Sequence, residues 1–281
     1  MPYVPHSDAV SRVVRGFPHL DTVRASITAL YRRLSPDGVR RYELSVPASD
    51  VAVDVLGAPE DGLHLGTQRA ARALVRHLGL PDARMVVSFR PMEHAGSVEL
   101  SAGPEYFVEL NDRFRAHRQD IGAVLAHEVT HVLLHRLGLS LPTTAENEIL
   151  TDVVTTYLGA GWLLLDAFRQ DRLTGQKLGY LTPDEFGYVL AKRAEVFHED
   201  PSPWFTSTVA YEAWEKGRAE AARDWRRPPL AGAGWAARRL ARAGGDGVFP
   251  CPVCGQRLRV AGARRVRARC GVCRTVLECA P

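Results

Sequence analysis

Hydrophobic and polar positions follow a helical period over much of the chain. In residues 19–34, apolar side chains recur at positions 20, 23, 27, 30 and 34, which predicts an amphipathic helix. Comparable spacing predicts further helices at 63–80, 118–137, 183–198 and 207–226. We expect Gly138 to end the 118–137 helix. Another apolar helical stretch begins after "LPTT", and we expect an interruption at its two glycines, Gly159 and Gly161.

Between these helices the pattern changes to short, β-rich runs. The segments "ARMVVSFRP", "GSVELSA" and "EYFVELN" are separated by Gly and Pro, which predicts three adjacent strands. We expect these strands to form a small, largely antiparallel sheet. Helices and strands that occur in separate blocks along the chain are typical of the α+β class.

The composition fits a globular chain with a distinct C-terminal part. The 281 residues are 46% hydrophobic and 24% charged, which suffices for one large domain or two unequal ones. Pro, Gly, Ala and Arg are concentrated in residues 226–247. We therefore predict a main domain over 1–225, a basic linker over 226–247 and a small domain over 248–281.

Apolar runs are too short for a signal peptide at the N-terminus or for a membrane span, which needs roughly 18 residues. We therefore expect a cytoplasmic protein that does not bind membranes. The net charge of +4 is unevenly distributed, because residues 223–281 carry a net +10 and residues 1–222 a net −6. Such a basic tail indicates nucleic acid or another acidic partner, and a solvated, Arg-rich linker remains the alternative.

The segment "HEVTH" at 127–131 combines residue types that bind metal ions. Positions i and i+4 lie on one face of a helix, so His127 and His131 can direct their imidazoles to one point. In the alternative, His127 satisfies a backbone group in the core and Glu128 pairs with a nearby cation. His135 lies a further turn along the helix and should not reach the same ion.

A catalytic zinc ion usually has three protein ligands and a water, so a third ligand is needed. The next helix offers three acids, of which Glu146 is spaced from Thr143 as a capping box and points away from Glu148. Glu148 and Asp152 form an i, i+4 pair on one face. We predict Glu148 as the ligand and Asp152 as the acceptor of a histidine N–H, with the reverse assignment open. Both could instead be surface acids at a helix start.

The segment "HEVTH" followed by "NEILTD" resembles the gluzincin metallopeptidases, in which HExxH is combined with a glutamate ligand on a following helix. The short step from His131 to Glu148 is similar to that of the minimal gluzincins and the ImmA/IrrE-like peptidases. The usual Glu-Ala-Asn-x-Phe-Ala run of the latter is absent. The resemblance implies a zincin-like domain, in which "YFVELN" is similar to the edge strand beside the active-site helix.

The resemblance also implies a mechanism. Zinc lowers the pKa of its bound water towards about 7, and Glu128 acts as the general base while this water attacks a peptide carbonyl. A second donor to the oxyanion would come from the later half of the domain. Its candidates are Tyr180, Tyr188, His198 and Tyr211, and the sequence does not select one of them.

The C-terminal region contains all five cysteines. Four of them form two CxxC pairs separated by fifteen residues, which predicts a zinc ribbon with one structural zinc ion held by Cys251, Cys254, Cys270 and Cys273. Two disulfides are the alternative, but they require an oxidising compartment. Cys279 is interpreted as a spare thiol.

The leading hypothesis is a zinc metallopeptidase that binds one catalytic and one structural zinc ion, with a protein or peptide as substrate. An HExxH domain followed by a zinc ribbon is also similar to the SprT-like proteases. These use a third histidine as ligand, whereas no histidine occurs between His135 and His198. The rival hypothesis is a regulatory or nucleic-acid-binding protein with a vestigial zincin core. The intact Glu128 argues against this rival, because a structural metal site needs no base beside the ion.

Overall fold

The computed structural model describes residues 15–53, 60–170, 175–176, 178–224, 248–251, 253, 256–259 and 266–279. Its α-helices are, in chain order, α1 (Leu20–Arg33), α2 (Pro36–Arg40), α3 (Ala48–Val51), α4 (Glu60–His77), α5 (Ile121–Leu137), α6 (Thr144–Thr155), α7 (Gly161–Asp166), α8 (Pro183–Phe197) and α9 (Thr208–Arg223). Its strands are β1 (Arg84–Arg90), β2 (Gly96–Val98), β3 (Glu105–Asn111), β4 (Arg169–Gln170), β5 (Gly175–Gln176), β6 (Val248–Pro250), β7 (Arg257–Arg259), β8 (Val266–Arg269) and β9 (Val276–Cys279). The predicted linker 226–247 lies outside the described residues and stays a prediction.

The fold belongs to the α+β class, as the sequence pattern indicates. The five helices expected from the helical period form as α1, α4, α5, α8 and α9. The expected interruption also occurs, because α6 ends at Thr155 and a π-helical turn over Thr156–Ala160 separates it from α7. Gly159 lies in this turn with a φ of 103°.

The predicted pairing of the main sheet is wrong for one pair of strands. The strand order is β1-β3-β2, and β1 pairs with β3 in parallel, whereas β2 pairs with β3 in antiparallel fashion. The segment between β1 and β3 contains β2 and the 3-10 turn Leu100–Ala102, so the chain reverses direction twice. Parallel strands need such a crossover of about a dozen residues. Alternation of apolar residues is the same for both directions, so the sequence pattern could not determine them.

The expectation that "YFVELN" forms the edge strand is also wrong. This segment is β3, which lies in the middle of the sheet because it is hydrogen-bonded to β1 on one side and β2 on the other. Its alternate residues Tyr106, Val108 and Leu110 are buried in the core. The strand at the edge next to α5 is therefore β2, which packs directly against that helix.

Helix α5 runs through the centre of the hydrophobic core. It packs against α4, α6 and the sheet, and most of its residues on all sides are buried. A helix with apolar residues on every side needs such an environment. The helix ends as predicted at Gly138, which has left-handed backbone geometry with a φ of 58°.

One stretch of the described chain, Thr144–Asp166, is long and apolar enough to cross a membrane. In this structure 94% of its most apolar window is buried inside the protein. The π-helical turn also divides the stretch into α6 and α7. Packing within the fold therefore accounts for its apolar character.

Candidate metal centre

Helices α5 and α6 bring two histidines and a glutamate together. The Nε2 atoms of His127 and His131 are 3.1 Å apart. One carboxylate oxygen of Glu148 lies 3.2 Å from His127 Nε2 and 3.5 Å from His131 Nε2. Ligand atoms about 2.0–2.1 Å from a tetrahedral zinc ion are about 3.3 Å from one another. The three side chains therefore form a group that could hold a metal ion, and their spacing fits zinc.

Asp152 lies at the Nδ1 side of the His127 ring, opposite the Nε2 atom that faces His131 and Glu148. Its Oδ1 is 2.9 Å from His127 Nδ1, whereas Glu148 faces Nε2 of the same ring. The second oxygen of Asp152 accepts hydrogen bonds from the backbone N–H groups of Tyr180 and Leu181. This contact requires a close approach, because a Cβ at Gly179 would lie 2.7 Å from both Asp152 oxygens. The geometry thus favours Glu148 over Asp152 as the third ligand.

Thr151 orients the second histidine, and sequence reasoning missed it. Its Oγ1 is 3.2 Å from His131 Nδ1 and donates a hydrogen bond to the carbonyl of Asn147. The hydroxyl therefore accepts from His131 Nδ1–H, which leaves Nε2 free to bind a metal. The sequence feature that could have pointed to Thr151 is its position on α6, three residues after Glu148 on the same face. Threonine is too common in helices for this position alone to single it out.

We expect Asp152→Asn to weaken zinc binding at this group about 10- to 100-fold, the range found for partners of metal-bound histidines. The amide has a single acceptor oxygen, so it cannot accept both from His127 and from the backbone N–H groups of Tyr180 and Leu181. Competition with a chelator of known affinity measures the change. Glu146→Gln is the matched control, because glutamine preserves the capping box on the same helix. Equal zinc affinity in both variants would contradict this role of Asp152.

Glu128 lies next to the group but is not part of it. Its side chain is buried, with only 6% of the residue exposed. Burial raises the pKa of Glu128, and the nearby histidines partly counteract this effect. A carboxylate with a raised pKa is a better proton acceptor, which suits it to general-base chemistry.

The edge strand leaves room for Glu128 because residue 96 is glycine. A Cβ at position 96 would lie 2.8 Å from Val124 Cγ1 and 2.9 Å from Glu128 Oε1, closer than van der Waals contact allows. A side chain at this position would therefore displace the carboxylate of Glu128.

If Glu128 is the base of the predicted peptidase reaction, Gly96→Ala should lower kcat about 10- to 100-fold with unchanged zinc content, because a shift of about 1 Å in such a group can cost about 100-fold. Steady-state peptide hydrolysis and metal analysis of the same preparation measure the two effects. Ser97→Ala, a change of similar size at the next residue, should have little effect. Unchanged kcat in Gly96→Ala would show that the position of Glu128 does not depend on this gap.

Charge holds the histidine and glutamate group together. Burial lowers the pKa of His127, but hydrogen bonds with Asp152 and Glu148 outweigh burial and raise it well above its ordinary value. For Glu148, burial raises the pKa. Hydrogen bonds with His127 and His131 outweigh burial, and the pKa of Glu148 is lowered strongly. Glu148 is thus ionised and faces the two imidazoles.

A second group is formed by three of the four predicted cysteine ligands. The sulfur atoms of Cys251, Cys270 and Cys273 all lie within 4.8 Å of one another, and those of Cys251 and Cys273 are 3.5 Å apart. Sulfurs bound at 2.3 Å to a tetrahedral zinc ion are about 3.8 Å apart. The three cysteines are buried and free of disulfides. The group could hold a metal ion, and Cys254 lies outside the described residues.

The four candidate oxyanion donors lie in different places. Tyr180 lies next to the histidine group, since its backbone N–H donates to Asp152. The hydroxyl of Tyr188 instead donates to Asp224 between α8 and α9. His198 ends α8 with a φ of 57°, and Tyr211 is exposed on α9. Neither of these two has a hydrogen bond to the histidine group within the described part of the chain.

The described residues thus contain two separate groups of side chains that could hold metal ions. No family model matches the chain, and neither a curated protein nor a solved structure matches it.

Proposed function

We propose that the protein is a zinc-dependent metallopeptidase with a zincin-like core and a C-terminal zinc ribbon. The observation that carries the proposal is the convergence of His127 Nε2, His131 Nε2 and a Glu148 oxygen within 3.5 Å of one another. Glu128 lies beside these atoms without joining them, as a general base must. A purely structural zinc site would use all four positions around the ion and would need no such base.

Each residue of the group has a distinct task in the proposed reaction. Zinc, when bound, lowers the pKa of a water, which can then lose a proton and attack a peptide carbonyl near neutral pH. His127, His131 and Glu148 hold the ion, while Asp152 and Thr151 fix the orientation of the two imidazoles.

Glu128 takes the proton of the attacking water and returns it to the leaving amine. Its raised pKa suits both steps, because the group must first accept and then release the same proton. Tyr180 is the candidate second donor whose backbone already contacts the site, which supports it as the group that contacts the oxyanion.

A digest of a proteome-derived peptide library tests the proposal. The zinc-loaded chain should generate new peptide termini, identified by mass spectrometry, and chelation should abolish them until zinc is restored. Cleavage that persists after chelation would point to a contaminating or metal-independent protease. The absence of cleavage by zinc-loaded protein over a diverse library would favour the regulatory or nucleic-acid-binding alternative.

We also propose that the C-terminal region binds an acidic partner such as nucleic acid. In the described part of this region, four arginines are exposed, namely Arg259, Arg267, Arg269 and Arg274. If they contact phosphates, the affinity for DNA should fall steeply as salt is raised. A cytoplasmic location is part of the same proposal, because the three described cysteines of the group are not joined by disulfides.

A further inference from the structure

The buried side chain of Arg136 joins the helix that carries the two histidines to the cysteine group. Arg136 lies in the last turn of α5, five residues after His131. Its Nη1 donates hydrogen bonds to the carbonyl of Val272 at 3.1 Å and to Asp82 at 2.6 Å. Val272 lies between two cysteines of the group, Cys270 and Cys273. Arg136 therefore connects the end of the histidine helix to the loop that carries the cysteines.

Further contacts hold this loop, residues 270–274, against the main domain. Asp82 also lies 3.6 Å from the guanidinium of Arg274. A Cβ at Gly271 would lie only 3.1 Å from the carbonyl of Arg136, so the loop backbone abuts the end of α5. Val272 and all three described cysteines of the group belong to the same hydrophobic core as α5. The loop is thus packed on the helix as part of one body.

Gln256 connects the same loop to the end of the first helix. Its side-chain oxygen accepts hydrogen bonds from the backbone N–H of Val272 and from the thiol of Cys270, both at 3.1 Å. Its backbone forms an antiparallel bridge with Leu34, directly after α1. The cysteine loop is therefore in contact with the end of α5 and, through Gln256, with the end of α1.

The position of Arg136 depends on this loop because its charge is buried. The side chain is only 1% exposed, and its Nη2 has no hydrogen-bond partner among the described residues. Its remaining contacts are with Val272, Asp82 and the hydroxyl of Tyr106. A buried charge that loses a partner is strongly destabilised. If the loop leaves, Arg136 loses its Val272 acceptor and the C-terminal end of α5 loses the backbone that packs against it.

We propose that the cysteine group, when it holds its ion, is a clamp that fixes the C-terminal half of α5 through Arg136 and thereby strengthens metal binding by His127, His131 and Glu148. Arg136 is a positioning residue in this device and contacts neither ion. Coupling between two binding sites is reciprocal and typically amounts to about 5- to 150-fold in affinity. The inference rests on the proposed occupancy of both groups and adds their interdependence.

The first test measures the zinc affinity of the histidine group in the full chain by chelator competition. We expect Cys270→Ser combined with Cys273→Ser to weaken it about 5- to 150-fold. Arg136→Gln should weaken it within the same range while the cysteine group keeps its ion, which the thiolate absorption of bound cobalt(II) reports. In the Arg136→Gln background, the two cysteine changes should have little further effect. Arg84→Gln, at an exposed arginine, and Cys279→Ser are the controls.

The second test uses hydrogen exchange over residues 130–138 and does not require the histidine group to bind zinc. With zinc on the cysteine group alone, exchange should be about 5- to 150-fold slower than in Arg136→Gln, the range of typical coupling. Unchanged exchange and unchanged zinc affinity in Arg136→Gln would overturn the clamp. If the double cysteine variant does not fold, Arg136→Gln still decides the question. If the histidine group binds no zinc but exchange responds, the proposed function fails and the effect on metal binding fails with it, whereas the clamping of α5 by the cysteine group stands.

Discussion

Glu128→Gln lowers kcat for peptide hydrolysis about 100- to 10,000-fold, the range that a general acid–base group contributes. Glutamine has nearly the same shape but cannot take the proton of the attacking water. The three predicted zinc ligands are intact in this variant, so two zinc ions per chain should remain. Steady-state hydrolysis of a peptide identified in the library digest measures kcat, and metal analysis of the same preparation measures zinc.

The matched control is Glu212→Gln, the same change at an exposed position of α9, which should keep wild-type kcat. Full activity of Glu128→Gln would disprove the proposed base. A zinc-loaded, inactive Glu128→Gln is also suited to capturing substrates in cells, since it should bind them without cleaving them.

His131→Ala should reduce the zinc content from two ions per chain to one and abolish detectable hydrolysis. Removing a ligand should weaken binding by more than the about 10- to 100-fold that loss of a supporting residue costs. The remaining ion belongs to the cysteine group. Elemental analysis after dialysis against a weak chelator measures the number of ions directly.

His135→Ala is the control for this variant, because His135 is exposed on the same helix one turn further along. It should keep both zinc ions and wild-type activity. Loss of one zinc ion in His135→Ala with retention of both in His131→Ala would reverse the assignment of the ligands.

Local patterns in the sequence predicted the elements that carry the site. The period of apolar residues predicted α5 and the start of α6, and the capping box of Thr143 and Glu146 forms as expected. With the helices in place, the i, i+4 spacing of His127 and His131 predicts that they face one point. The arrangement in space agrees with this expectation, since their Nε2 atoms are 3.1 Å apart.

Contacts between residues distant in sequence could not be predicted in the same way. The parallel pairing of β1 with β3 depends on a crossover whose direction leaves no trace in the alternation of apolar residues. The closeness of Gly96 to Glu128 depends on how the edge strand packs on α5. The contact of Arg136 with Val272 joins residues 136 positions apart, and an arginine near a helix end ordinarily indicates a solvated side chain.

Anomalous X-ray scattering at the zinc absorption edge, recorded from crystals of the full chain, tests the central claim most directly. That claim is that His127, His131 and Glu148 share one zinc ion. The expected map has one peak between the Nε2 atoms of the two histidines and the carboxylate of Glu148, and a second peak among the cysteines. A map with a peak at the cysteines and none at the histidines, from zinc-saturated protein, would contradict the account.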